Sequence, residues 1–142
     1  MVRTLEDLKV TAREFVRYTR PRAEGATLVT LSGELGAGKT AFTKAVAEAF
    51  GVTDTVTSPT FVLEKIYALP QGMAFARLVH IDAYRLSGGK ELAPLGFDEI
   101  MKDAKNLVFL EWPERVKDAL PLPAATIAIA ALSDGSRTFS YG

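Results

Sequence analysis

The chain has 142 residues, 48% of them hydrophobic and 24% charged, and its 17 basic and 17 acidic side chains cancel to a formal charge of zero. This length supports one hydrophobic core, hence a single domain over 1–142, and the charge balance excludes an overall cationic field that would hold the molecule on DNA or a membrane. The lack of cysteine excludes disulfides and thiol chemistry; with a charged amino-terminal segment and no apolar run near the roughly 18 residues of a membrane span, a cytosolic protein is expected.

Thr4 followed by Asp7 reads as a capping box, and Leu5, Leu8, Ala12, Phe15 and Val16 continue at helical spacing toward a stop at Pro21. Residues 26–31, Ala-Thr-Leu-Val-Thr-Leu, read as a buried strand that runs into a glycine-rich loop. A second helix is predicted over 40–50, with Gly51 as its left-handed terminator. After Ser58-Pro59, which forces an extended or turned backbone, residues 62–69 and 73–81 read as a hairpin about Pro70-Gln71-Gly72, ending in Asp82. Ser87-Gly88-Gly89 is a loop and 97–104 a short helix. Leu107 to Leu110 is a buried strand closed by Glu111-Trp112-Pro113, and Pro113 starts a short helix to about Ala119. Residues 126–132 and 137–141 flank Asp134-Gly135 as a second hairpin.

Gly33-Glu34-Leu35-Gly36-Ala37-Gly38-Lys39-Thr40 satisfies the full Walker A pattern between a strand and a helix. Glycines let successive backbone N–H groups converge on anionic oxygens, and the following helix adds free donors and its positive end. Residues 33–41, Ala41 included, are therefore the nucleotide-binding candidates, with Lys39 directed to the β and γ phosphates and the Thr40 hydroxyl to magnesium. A magnesium site also needs a carboxylate, and Asp82 and Glu111 each end a predicted strand. Asp82 is assigned to the metal, directly or through water, and Glu111 to polarising the attacking water or to the metal's outer shell. Lys39, Asp82 and Glu111 form the candidate catalytic set, and Thr40, Asp82 and Glu111 the candidate metal set. His80, the sole histidine, reads as a packed strand residue on the face opposite Asp82. The absence of an Asn-Lys-x-Asp guanine-selecting motif favours ATP over GTP. Trp112 is open to two readings, core packing or a nucleotide contact. Arg13, Arg17 and Arg20 recur three or four residues apart, as a solvated face or as one that docks a partner or tRNA.

Together with the Walker A loop, Thr-Ser-Pro-Thr-Phe at 57–61, His-Ile-Asp-Ala-Tyr-Arg-Leu at 80–86, Leu-Gly-Phe-Asp-Glu at 95–99 and Leu-Glu-Trp-Pro-Glu-Arg at 110–115 make the chain resemble the TsaE family over nearly its whole length. The resemblance implies a P-loop NTPase-like α/β fold, a three-layer sandwich with a mixed sheet and antiparallel hairpins. It further implies an ATPase that turns ATP into ADP and supports TsaB and TsaD in threonylcarbamoyladenosine modification of tRNA position 37, with tRNA contacted indirectly or weakly. Carried over, Ser58 and Thr60 belong to a switch-like loop near the γ-phosphate and Trp112 to the nucleotide pocket, while Tyr84 and Arg85 remain surface or partner residues. Ala83 and Ala93-Pro94 depart from the family's usual pattern and bear only on loop geometry. A small-molecule kinase and an ATP-gated module without hydrolysis are the competing readings.

Overall fold

The computed structural model describes residues 2–34, 36–52 and 64–142. Helix α1 (Leu5–Tyr18) opens with the expected capping box: the Thr4 hydroxyl accepts from the Asp7 amide at 3.1 Å, and the Asp7 carboxylate accepts from the Thr4 amide at 3.1 Å. The helix ends at Tyr18 rather than at Pro21, because Thr19 turns extended (φ −91°, ψ 127°) and proline disfavours helical backbone at Arg20. Arg20 instead folds back, its guanidinium donating to the carbonyls of Val16 and Thr19. It therefore caps the helix end through Nη1 while remaining exposed, as Arg13 and Arg17 are.

Among the described residues the strands are β1 (Thr27–Ser32), β2 (Glu64–Ala68), β3 (Arg77–Asp82), β4 (Asn106–Glu111), β5 (Ala125–Ala131) and β6 (Arg137–Tyr141). They form a mixed sheet in the order β2-β3-β4-β1-β5-β6. The inner neighbours β3, β4, β1 and β5 run parallel, and β2 and β6 lie antiparallel on the edges. Both hairpins are therefore present. In the first, β3 begins at Arg77 instead of Met73, since the intervening chain dips to bury Phe75 edge-on against Phe50 at 6.3 Å.

Strand alternation divides the core between the two faces of the sheet. Val29, Leu31, Leu107 and Phe109 meet α1 and helix α2 (Lys39–Ala49), where Phe15, Phe42 and Phe109 pack ring on ring. Leu28, Val79, Ile81, Val108 and Leu110 meet Leu92, Phe97 and Val116 on the other side. That second layer consists of a 3-10 turn (Gly89–Leu95), helix α3 (Phe97–Lys102) and two further 3-10 turns (Pro113–Arg115 and Lys117–Ala119). The helix expected after Pro113 is thus split, with Val116 driven into the core between its halves at 0% exposure. No helix of the described residues is long and apolar enough to cross a membrane.

The parallel register fixes where chemistry can collect. Leu31 pairs with Glu111, and Asp82 also pairs with Glu111, so β1, β3 and β4 end side by side at one edge. Ligands of open α/β sheets bind outside such carboxyl ends.

Candidate active site

From β1 the chain enters the glycine loop through Gly33, at φ +150°, where an added Cβ would lie 2.4 Å from the Ile129 carbonyl oxygen. Only a residue without a side chain lets the loop pass this close to β5. Gly33→Ala is expected to lower the free energy of unfolding by about 2–3 kcal/mol, read by urea denaturation. Gly38, at φ +113°, then turns the backbone directly into α2. The first amides of that helix therefore face the loop, with Ala41 on its opening turn.

Lys39 begins α2 yet is only 5% exposed. Its ammonium donates to the carbonyls of Gly33 at 2.5 Å and Glu34 at 3.2 Å, and lies 4.4 Å from the centre of the Trp112 ring. Among the described residues it forms no ion pair. Trp112 holds this place through a backbone in the left-handed region (φ 60°, ψ 53°), the one non-glycine residue described with positive φ. Its amide donates to the Leu31 carbonyl at 3.2 Å, which pins the turn to the end of β1. The ring packs on Tyr84 at 5.0 Å, and Tyr84 in turn carries the Arg115 guanidinium at 5.3 Å. Trp112 thus packs on its neighbours, as the first reading of the sequence has it, and also lines the pocket beside the glycine loop.

That pocket, of about 310 Å³, is lined by Lys39, Thr40, Asp82, Tyr84, Glu111 and Trp112 together with the glycine loop. The structure brings together Gly36, Gly38, Lys39, Thr40, Ala41, Asp82, Glu111 and Trp112, and adds Tyr84 and Arg85 from the segment after β3. Leu35, Ser58 and Thr60 lie outside the described residues.

Asp82 is 7% exposed and Glu111 3%. Burial pushes the Asp82 carboxyl above its ordinary value of 3.8; a hydrogen bond from the Tyr84 amide at 3.0 Å opposes this, and the neighbouring Glu111 charge adds to it. The folded chain then holds this proton more tightly than the unfolded chain does, so stability falls as pH rises from the ordinary aspartate range through the raised folded value. Asp82→Asn keeps the acceptor for Tyr84 and removes the charge. Its melting temperature is expected to exceed that of the wild type at pH 7 in nucleotide-free protein, with the difference shrinking toward pH 4.

His80 corrects the sequence reading. Residues two apart on a strand share a face, and His80 lies on the same face as Asp82 rather than opposite to it. It is fully buried, as expected of a packed strand residue, but its Nε2 meets Glu111 Oε2 at 2.5 Å, while Nδ1 has no partner among the described residues. Among the described residues the acceptor for a ring hydrogen is Glu111, at Nε2, so the hydrogen is placed there. One Glu111 oxygen is therefore fixed by His80, leaving the other for the pocket.

Thr40, Asp82 and Glu111 supply hard oxygen donors of the kind magnesium takes. No group of three or more His, Cys, Asp or Glu among the described residues makes a protein cage for a metal. Magnesium seldom uses such a cage, being held by one or two carboxylates, substrate phosphates and water, so the donor set fits that ion. Asn106, the sole asparagine, is buried in β4, donates to the Ile100 carbonyl and accepts from Arg77. It is thus unavailable to read a base.

The family model described as "Threonylcarbamoyl adenosine biosynthesis protein TsaE" matches residues 2–139. The tRNA threonylcarbamoyladenosine biosynthesis protein TsaE of Streptomyces coelicolor is 44% identical over 104 residues, covering 72% of this chain and 67% of that one. The protein of the same name from Bacillus subtilis is 34% identical over 139 residues, covering 96% and 79%, and that from Rickettsia prowazekii 33% over 138 residues, covering 96% and 91%. The crystal structure of Bacillus subtilis YdiB superposes with a TM-score of 0.71 at 29% identity, over 97% of this chain and 79% of that one.

Proposed function

Because this chain belongs to the TsaE family of tRNA threonylcarbamoyladenosine biosynthesis, we propose that it serves that modification as a magnesium-dependent ATPase acting with TsaB and TsaD. The observation that carries the reading is the convergence of Lys39, Thr40, Asp82 and Glu111, from three chain segments, on one pocket at the sheet's carboxyl edge.

The loop amides and the α2 terminus cradle the phosphates, and Lys39 brings its ammonium to the β and γ oxygens. Thr40 and Asp82 would hold magnesium, which would supply positive charge against the phosphates. Glu111, oriented by His80, takes a proton from the water that attacks the γ-phosphorus and passes it on to the departing phosphate. The P–O bond to the leaving group breaks, ADP keeps the electron pair, and inorganic phosphate leaves. Trp112 and Tyr84 shield Lys39 from solvent, which strengthens its pull on the phosphates. Because the other substrate is water, what the protein delivers to its partners is a change of state between ATP and ADP forms.

Product analysis of ATP turnover, with and without TsaB and TsaD, tests this reading with the wild type, Lys39→Ala and Glu111→Ala. Phosphate release that the partners stimulate and both variants lose supports it. A phosphorylated small-molecule acceptor would make the protein a kinase, and tight ATP binding without turnover would make it a gated binding module.

A further inference from the structure

A loop that turns its amides toward an anion must turn the carbonyls of the same peptides away, and those oxygens need donors. Here one side chain from a remote part of the chain supplies them. Arg137, the first residue of β6, donates from Nε to the Ala37 carbonyl at 2.9 Å and from Nη2 to the Gly36 carbonyl at 3.5 Å. Its Nη1 donates to the carbonyls of Gly135 and Ser136, at 3.0 and 3.4 Å, in the turn of its own hairpin. Among the described residues it forms no ion pair, so the planar fork of the guanidinium is spent on backbone oxygens, two in the phosphate loop and two in the β5–β6 turn.

The arginine is itself fixed. Its amide and carbonyl exchange hydrogen bonds with Val2 at 2.7 and 2.8 Å. Two residues on, Phe139 packs against Phe42 at 5.3 Å, and the Phe42 amide makes the first-turn bond to the Gly38 carbonyl at 2.9 Å. The terminal hairpin thus grips both the phosphate loop and the helix that the loop launches, and it places a cation behind the loop amides.

We propose that Arg137 is a positioning residue for triphosphate capture, holding the Gly36–Ala37 carbonyls outward so that the loop is shaped for an anion before one binds. This rests on the ATP-binding reading above, and the experiment has one arm that does not. In nucleotide-free protein, hydrogen exchange in the peptide spanning 33–41 is expected to be about tenfold faster in Arg137→Ala than in wild type, with β4 unchanged. In the second arm, calorimetry with magnesium ATP is expected to show Kd raised about tenfold, Arg137→Lys lying between, and kcat at saturation retained because Lys39 and Glu111 are untouched. A merely structural role would instead lower the melting temperature and speed exchange throughout the sheet, leaving Kd of the folded molecules as in wild type, and that result overturns the proposal. Wild type that binds no ATP would remove the nucleotide reading; the exchange arm then decides alone, and unchanged loop exchange sinks the role of Arg137. Should Arg137→Ala not fold, Arg137→Gln, which keeps a donor and loses the fork, carries the same comparisons.

Discussion

Lys39→Ala is expected to raise the Kd for ATP at least about 100-fold while leaving the fold as stable as the wild type or more so. The two halves of this result come from one geometry. The Lys39 ammonium is almost wholly buried, and among the described residues its direct partners are two carbonyl dipoles and the face of Trp112, with the Asp82 charge acting at longer range. Dipoles and a ring neutralise a cation incompletely, so its field remains available to a polyphosphate in a poorly screened pocket. For the same reason the lysine gives the nucleotide-free fold little, since its desolvation opposes the few bonds it makes. Calorimetry and thermal unfolding of the same preparation measure both. A variant that melts well below wild type would show Lys39 to be mainly a structural strut.

The second large effect belongs to the buried pair. Glu111→Gln is expected to lower kcat by about 100-fold or more with ATP affinity nearly kept, as removal of a general base does. His80→Leu, which touches no substrate, is expected to lower kcat by about 10–100-fold with the same small change in affinity. The bond from Nε2 to Glu111 is what His80→Leu loses, and the carboxylate is then free to rotate or to turn toward Lys39. His80→Gln places an amide donor near the lost Nε2 and is expected to restore part of the rate. Steady-state kinetics with separate kcat and KM read this directly; a loss confined to KM, or no rescue by glutamine, would count against orientation of Glu111.

The glycine loop and its neighbours were legible in the sequence because their signals are local. The capping box at Thr4 and Asp7, the strand before Gly33 and the helix after Lys39 each depend on residues a few positions apart, as do the two hairpins. The pairing of His80 with Glu111 was not legible, since it depends on the β3–β4 register across 31 positions. Strand alternation alone could have placed His80 on the Asp82 face. Arg137 carried no signal at all: a single arginine in a terminal hairpin becomes a partner of Ala37, 100 residues away, only because β5 docks beside β1. The left-handed backbone of Trp112 was hidden as well, since a residue before proline is ordinarily extended. Here the Leu31 carbonyl takes its amide and the Lys39 ammonium sits against its ring.

The order of the strands has a consequence for how the molecule assembles. The site's groups come from three returns of the chain, after β1, β3 and β4, and parallel neighbours can zip together only once long intervening segments have closed. Helical signal during refolding from urea should therefore recover ahead of affinity for ATP, and stopped-flow circular dichroism followed against nucleotide capture would show that lag. On the proposed function, competence to bind would be the last property the chain acquires, and a nucleotide column would retain only molecules whose middle strands have found their final neighbours.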